Sequence, residues 1–253
     1  FPVTIEYQKK GKKVYYADLE TSYDPEYAKH LGLDENETIF SPPETGEIIL
    51  DIVEKLCETG EVGAIVIDSV AHLVPQAVQA KEIATGTANI ATTARLLSQT
   101  LPRLSNAAGR TGTTIIFINQ IRMNVGQLYG NPETTPGGKA LKFASSVRLE
   151  VRPGKQEEKN GVQGRTVKIK LKKSKVSKPH TVTNVFLAYG EGFDKEADLL
   201  NACLALGIIE RAGAWFTCGE IRAQGFDNLV KEIKNTEGML DELKQILQDS
   251  ITT

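Results

Sequence analysis

Two spacings of apolar residues alternate along the first half of the chain. Ala64-Ile65-Val66-Ile67 and Thr114-Ile115-Ile116-Phe117-Ile118 are short, continuous and mostly β-branched, the pattern of parallel strands buried on both faces. Residues 13–19, with Val-Tyr-Tyr-Ala at their centre, read as a third strand. Between these runs the period changes. Ile48, Ile49, Ile52, Val53 and Leu56 recur at helical spacing within residues 44–58, acidic residues lie in the first turn, and Gly60 ends the segment. Residues 3–10 read as the end of a helix closed by Gly11, and residues 25–31 as a short helix stopped by Gly32. Residues 88–108 form a longer helical stretch with Ala94, Leu97, Leu101 and Leu104 on one face. Pro102 inside it predicts a kink or a division into two helices. Strand and helix alternating in this way predict an α/β fold with a mainly parallel, twisted sheet flanked by helices.

The second half reads differently. Residues 146–152, 165–171 and 183–189 are candidate strands, joined by hairpin-like loops, and residues 153–164 form a loop rich in Lys, Glu and Gly. They predict an antiparallel extension of the sheet. Residues 194–206 are helical, residues 214–221 form a small hairpin with Trp215 in its core, and a charged helical region follows from Phe226. The expected organisation is a core over residues 1–192 and a small α+β C-terminal domain over residues 193–253.

Composition narrows the picture only a little. The 253 residues suit one large domain or a core with an appendage, and a net charge of −2 argues against a protein that is basic throughout. A local basic patch remains compatible with nucleic-acid binding. Cys57, Cys203 and Cys218 show neither metal spacing nor an even count, which reads as a reducing, cytoplasmic setting. His30, His72 and His180 stand apart from one another, so they read as surface or loop histidines rather than zinc ligands. No stretch has the length and apolarity of a membrane span. The chain opens without an initiator Met and enters directly into an amphipathic pattern, so it reads as truncated at its N-terminus.

Candidate chemistry sits at three strand ends, occupied by Glu20, Asp68 and Gln120. Ligands of open α/β sheets bind outside the carboxyl ends of the strands. A carboxylate after four apolar strand residues is the Walker B pattern, which delivers one charge to the Mg²⁺ of a bound nucleotide. Together the three suit a nucleotide hydrolase: Glu20 for the attacking water, Asp68 for the metal, Gln120 for the terminal phosphate. A phosphate-binding loop, Gly-x-x-x-x-Gly-Lys-Ser/Thr, is absent. Gly11-Lys12, Gly138-Lys139 and Gly154-Lys155 all lack the remaining residues. In a strand–loop–helix unit that loop precedes a helix, so its expected place is just upstream of Phe1.

The ordered motifs resemble bacterial RecA recombinases. They are Asp18-Leu19-Glu20 with Asp24-Pro25-Glu26-Tyr27-Ala28, then Ile67-Asp68-Ser69-Val70, then Ile118-Asn119-Gln120-Ile121-Arg122. The longest is Gly130-Asn131-Pro132-Glu133-Thr134-Thr135, continuing through Gly137-Gly138 to Ala140-Leu141-Lys142-Phe143; Tyr189-Gly190-Glu191-Gly192 and Gly213-Ala214-Trp215 extend it. The resemblance implies a RecA-like ATPase core that uses ATP and Mg²⁺. Glu20 matches the catalytic glutamate and Gln120 the switch glutamine. Asp24 and Tyr27 match the adenine contacts, and Asp68 and Ser69 the Walker B end, with Asp68 reaching Mg²⁺ through water. Lys173 and Lys175 match a pair that reaches a neighbouring subunit's nucleotide, and Tyr189 and Gly190 a nucleotide-contacting turn. Residues 121–139 match the second DNA-binding loop. There Arg122 supplies charge, Met123, Val125 and Tyr129 offer apolar or stacking contact, and Gly126, Gly130, Asn131, Gly137 and Gly138 allow close backbone approach to phosphates. Arg95 matches a DNA-facing arginine beyond the first DNA loop.

The implied activity is DNA repair and recombination in the cytoplasm, including the SOS response to DNA damage. It proceeds by a homo-oligomeric helical filament on single-stranded DNA that pairs it with double-stranded DNA, with no membrane partner. Some residues depart from the family pattern. Residues 79–88 are unlike the usual acidic first loop, Pro102 stands where an arginine is usual, and Lys139 replaces a common Asn. The N-terminal linking segment and acidic tail are not in the chain. The alternatives are a non-catalytic filament or regulatory module that has lost its phosphate loop, and a hexameric helicase or clock-type ATPase; the 119–143 loop argues against the latter. Without the loop, residues 1–253 are expected to hydrolyse little ATP.

Overall fold

Of the two β-branched runs, Val62–Asp68 becomes a buried inner strand of a sheet, whereas Thr114–Phe117 lies at the sheet's edge and is only half-buried. The structure, a computed structural model, describes residues 1–79, 86–123, 129–130, 132–159 and 161–252, the side chains of 86–90, 251 and 252 excepted. By contact density the chain divides into Phe1–Arg148 with Ser174–Ser177, and Leu149–Lys173 with Lys178–Thr253.

The first unit runs α1 (Pro2–Gln8), β1 (Lys13–Asp18), α2 (Pro25–His30), β2 (Thr38–Ser41), α3 (Gly46–Thr59) and β3 (Val62–Asp68). A 3-10 turn (Val70–His72) follows, then α4 (Gln76–Gln79), α5 (Gly86–Thr111), β4 (Thr114–Phe117), β5 (Arg122–Met123), β6 (Glu133–Thr134) and α6 (Ala140–Ala144). Its main sheet has the order β2-β1-β3-β4, every pair parallel. Tyr15, Ile65 and Ile67 pack with Ile49, Leu50 and Val53 of α3 and Leu97, Leu101 and Leu104 of α5. Each such large side chain contributes about 1.5–3 kcal/mol on burial. Thr45 caps α3 by accepting the Ile48 amide at 3.4 Å. Register puts Asp18 beside Asp68 and Ile67 beside Phe117, so β1, β3 and β4 end level and their next residues share one edge.

Pro102 neither breaks α5 nor divides it; Gly86–Thr111 is one helix. Leu97, Leu101, Leu104 and Ala107 are buried on its inner face, whereas Pro102 is exposed, as is Ser98, whose carbonyl loses its amide partner. Water replaces that partner on the outer face while the packed stripe holds the inner one.

The second unit contains β7 (Val147–Lys159, whose first two residues fall in the first unit), β8 (Val162–Ser174), β9 (Val182–Ala188) and β10 (Gly192–Phe193), in the order β10-β9-β8-β7. Among the described residues this sheet has no ladder in common with the parallel one. The loop expected over residues 153–164 is mostly strand. Thr166 donates to Glu157, Gln163 to Glu158 at 2.6 Å, and the Lys159 ammonium lies 4.9 Å from the Phe186 ring centre, so polar cross-strand pairs hold it. Pro153 is tolerated because β7 is an edge strand.

Further on lie α7 (Lys195–Ala205), β11 (Glu210–Ala212), β12 (Trp215–Cys218), β13 (Ile221–Gln224), α8 (Phe226–Asn235) and α9 (Met239–Thr252). Leu200, Phe216, Leu229, Ile233 and Leu243 form a separate cluster here. Trp215 is not in that core. Alternation along β12 turns Phe216 and Cys218 inward and leaves Trp215 41% exposed, with the Arg222 guanidinium 5.0 Å from its ring centre.

Candidate functional site

The level strand ends bring Glu20, Asp68, Ser69 and Gln120 together. The Leu19 amide donates to the Asp68 carbonyl at 2.7 Å, and the Val70 amide to the Ile118 carbonyl at 2.9 Å. These bonds lock three successive chain exits side by side. Three polar groups converge on a single oxygen, Glu20 Oε1. They are the Ser69 hydroxyl, Gln120 Nε2 at 2.5 Å, and His72 Nδ1 at 3.1 Å. The Ser69 hydrogen bond, followed by that of Gln120 and the proximity of His72, holds the Glu20 carboxyl below the ordinary carboxylate range against a smaller opposing effect of burial.

Asp68 is held differently. Burial pushes its pKa up, the Tyr16 hydroxyl donating to Oδ2 at 2.9 Å pulls it down, and the charges of Glu20 and Asp18 push it up again. Burial, the bond to Asp68 and the surrounding carboxylates raise the Tyr16 phenol in turn. A desolvated carboxylate beside two other anions is a place where a cation is stabilising. That donor chemistry fits Mg²⁺ met through water. Among the described residues no three His, Cys, Asp or Glu side chains are grouped to ligate a metal directly, and Mg²⁺ at such sites takes most ligands from water and phosphate. For the phosphates themselves this chain offers no Gly-x-x-x-x-Gly-Lys-Ser/Thr cradle.

Beyond Gln120 the contacts continue. Arg122 Nη2 donates to Gln120 Oε1 at 2.6 Å, so Gln120 is bonded at both ends of its amide. Arg122 and Met123 form β5, pairing with Thr134 and Glu133 of β6, which gives the expected DNA loop a two-rung antiparallel base. Asn119 ties the far end: its Nδ2 donates to the Pro136 carbonyl at 3.0 Å, while its Oδ1 accepts the Gln120 amide at 2.9 Å. Gly137 and Gly138 then lie against Leu97, Val70 and Ala94. Tyr129 is 89% exposed and Met123 61%. Val125, Gly126 and Asn131 lie outside the described residues.

The other expected residues are distributed as follows. Asp24 caps α2, accepting the Tyr27 amide at 3.0 Å, and Asp18 accepts the Tyr23 amide at 2.8 Å, so the 18–27 turn is built by its own carboxylates. The Tyr27 ring meets Phe1 edge-on at 6.3 Å between centres. Arg95 is exposed on α5, whereas Arg103, next to Pro102, is paired with Glu54 through two hydrogen bonds, Nε to Oε1 at 3.0 Å and Nη2 to Oε2 at 2.5 Å. Lys173 lies near the end of β8 and Lys175 just beyond it, where the Lys175 amide donates to the Ser146 carbonyl at 2.9 Å. Tyr189 and Gly190 form the turn after β9, with the Tyr189 amide donating to the Gln163 carbonyl at 3.0 Å.

Three participants escaped the sequence reading. Tyr16 read as a plain strand residue, yet its hydroxyl serves Asp68. Asn119 was only part of a motif, yet it closes the loop. His72 read as a surface or loop histidine, and it is exposed, but it also has a partner that the reading did not foresee. It ends a 3-10 turn that starts after Ser69, and side chains three apart eclipse in such a turn, so His72 stands over Ser69 and reaches Glu20. A Ser-x-x-His spacing after a strand-end Asp was the available signal.

A family model, the RecA N-terminal domain, matches residues 2–194 of this chain. Protein RecA of Lactobacillus delbrueckii subsp. bulgaricus is 42% identical over 241 residues, which cover 94% of this chain and 72% of that protein. Protein RecA of Thermus aquaticus is 43% identical over 240 residues, 94% of this chain and 70% of that protein. Among solved structures, the RadB recombinase aligns with a TM-score of 0.48 at 19% identity, covering 73% of this chain and 79% of that one, too weakly to add to the fold.

Proposed function

The chain belongs to the RecA family, and from that membership we propose that it is the ATPase core of a recombinase. In this reading it assembles as a helical filament on single-stranded DNA and exchanges strands with a duplex, in the cytoplasm. The observation that carries this reading is the continuous contact from Glu20 through Gln120 to Arg122, which joins the strand-end carboxylate to the base of the DNA loop. ATP with Mg²⁺, when bound, supplies the phosphoryl group and the charge that neutralises it. Asp68 would hold the metal's water. Glu20 is ionised at neutral pH like any ordinary glutamate, and the lowering of its pKa makes it a weaker base. Its main task is therefore to orient the attacking water, through Oε2. Gln120 Nε2 is the group that exchanges Glu20 for the terminal phosphate, and its Oε1 carries that exchange to Arg122. Arg95, Arg122, Met123, Val125, Gly126, Tyr129, Gly130, Asn131, Gly137 and Gly138 face DNA. Asp24 and Tyr27 hold adenine, Tyr189 and Gly190 contact nucleotide, and Lys173 and Lys175 reach the nucleotide of an adjacent protomer.

Residues 1–192 serve as the ATPase core and 193–253 as a C-terminal domain, a division supported by the separate apolar cluster around Leu200, Phe216 and Leu229. Residues 1–253 alone hydrolyse little ATP, because they contain no phosphate cradle.

The test uses the protein together with whatever precedes Phe1 in its gene. Binding to single-stranded DNA is measured with and without ATP across a salt series. The expected result is ATP-dependent, salt-sensitive binding. Glu20→Gln keeps it but loses turnover, and Arg122→Ala keeps basal turnover but loses its stimulation by DNA. No binding in ATP overturns the reading of the protein. Turnover surviving in Glu20→Gln overturns the role of Glu20.

A further inference from the structure

We propose that His72 is a positioning residue that clamps the Glu20 carboxylate. The inference rests on the reading that Glu20 orients the attacking water. It starts from proton accounting at one oxygen. The Ser69 hydroxyl has a single proton and gives it to Glu20 Oε1, which also takes Gln120 Nε2 at 2.5 Å. His72 Nδ1 stands 3.1 Å from that same oxygen and 3.3 Å from Ser69 Oγ. With the serine proton committed, an Nδ1 lone pair there would face two oxygens and be repelled by both. The arrangement is attractive only with the proton on Nδ1, donated to Glu20. The contact thus sets the histidine tautomer and leaves Nε2 to solvent on a side chain that is 46% exposed.

The clamp is mounted on backbone that cannot easily yield. The His72 amide donates to the Ser69 carbonyl at 3.0 Å, closing the 3-10 turn. The Val70 amide donates to the Ile118 carbonyl at 2.9 Å, fixing that turn to the chain that leads into Gln120. Val70 and Leu73 on either side of the histidine are buried. Ser69 and His72 therefore approach Oε1 from one turn and Gln120 from the chain that leaves β4. Three donors on one oxygen leave Oε2 without a partner among the described residues, and they fix the plane in which it lies. Removing His72 leaves two donors and a carboxylate that can turn about its last bond. His72 touches Glu20 alone of the reacting groups, so it acts through Glu20.

The experiment compares His72→Ala, His72→Asn and Glu20→Gln in the protein that includes whatever precedes Phe1 in its gene. The Asn side chain places an N–H near the position of Nδ1. Steady-state ATPase activity is measured, together with the pH titration of the Glu20 carboxyl carbon by 13C NMR in nucleotide-free protein, assigned by its absence from Glu20→Gln. His72→Ala is expected to lower kcat about tenfold with KM for ATP unchanged, the size set by losing one hydrogen bond to a charged group. The Glu20 titration moves to higher pH, and His72→Asn restores both. A wild-type kcat in His72→Ala, with Glu20→Gln inactive, overturns the clamp. So does a loss of kcat that His72→Asn fails to restore. If Glu20→Gln remains active, the proposed role of Glu20 falls instead, and the clamp is judged by the titration alone: an unmoved Glu20 in His72→Ala refutes it.

Discussion

Gly137→Ala should cost far more than an ordinary turn glycine, because two separate penalties meet there. The first is backbone. Gly137 has φ +85°, in the left-handed region, where an L side chain costs about 1–2 kcal/mol. The second is space. A Cβ on Gly137 would lie 2.8 Å from Leu97 Cδ1 and 3.0 Å from Val70 Cγ1. Both of those residues are 0% exposed and sit in the main core, so neither can swing aside. Forcing a methyl into such packing costs about 1–3 kcal/mol. The narrower unfolded ensemble of alanine returns about 0.4–1 kcal/mol. The net loss is about 1–4.6 kcal/mol, roughly 3 at the middle of those ranges. Gly11→Ala is the control. Its φ is +71° but nothing lies within 4 Å of the added Cβ, so it carries the backbone penalty alone, about 1 kcal/mol after the same offset. Equilibrium urea unfolding of both variants, followed by far-UV circular dichroism without DNA, separates the two. At about 2–3 kcal/mol per M of urea, Gly137→Ala should lower the midpoint by roughly 1 M or more, and Gly11→Ala by less than half of that. Equal midpoints would refute the packing argument. They would leave Gly137 only its left-handed backbone.

Three further outcomes are expected. Burial pushes the Glu150 carboxyl up, but Lys172 at 3.1 Å and Arg152 at 3.4 Å outweigh it and hold the pKa below the ordinary 4.5. A lowered carboxylate pKa stabilises fully above the unfolded value and loses that contribution as pH falls through the folded one. Glu150→Gln should therefore be less stable than wild type at pH 7, and the two stability curves should converge below about pH 4.5; parallel curves would rule the pairing out. The Cys57 thiol is pushed up to about 11 by burial and by Glu54 and Glu58, and Cys203 and Cys218 are raised by burial too. A thiol reagent at pH 8 should find none of the three in native protein and all three in denaturant. Finally, Pro102→Ala restores an amide on the exposed face of α5 and should raise thermal stability, by about 1–2 kcal/mol; a lower melting temperature would mean that the proline is needed where it stands.

How much of this was legible in the sequence depends on how locally each feature is determined. The apolar run at 64–67 became the buried inner strand β3, as its continuous apolar residues demand, whereas the run that follows Thr114 became the half-buried edge strand β4, a difference the two runs do not show when read singly. Glu20, Asp68 and Gln120 were legible together because parallel register makes strand ends level, and a strand end can be read without knowing its neighbours. What failed to show depended on partners distant in the chain. The hairpin extension of β7 and β8 rests on cross-strand pairs such as Thr166 with Glu157, which look like a charged loop when read singly. Pro102 looked like a breaker because the remedy, its solvent-facing position, is a property of the packed helix. His72 is the sharpest case. Read alone it is a polar residue in a loop, and its partner Glu20 is 52 residues away. The turn that aims it is three residues long, too short to announce itself by periodicity. Yet that turn is fixed by Val70 bonding to Ile118, and Ile118 is fixed by Ile67, so the same sheet that aligns the three strand ends also delivers the histidine to them. The carboxylate identified from sequence and the imidazole that was not are consequences of one register. A shift of a single residue between β3 and β4 should therefore remove both Gln120 and His72 from Glu20 at once.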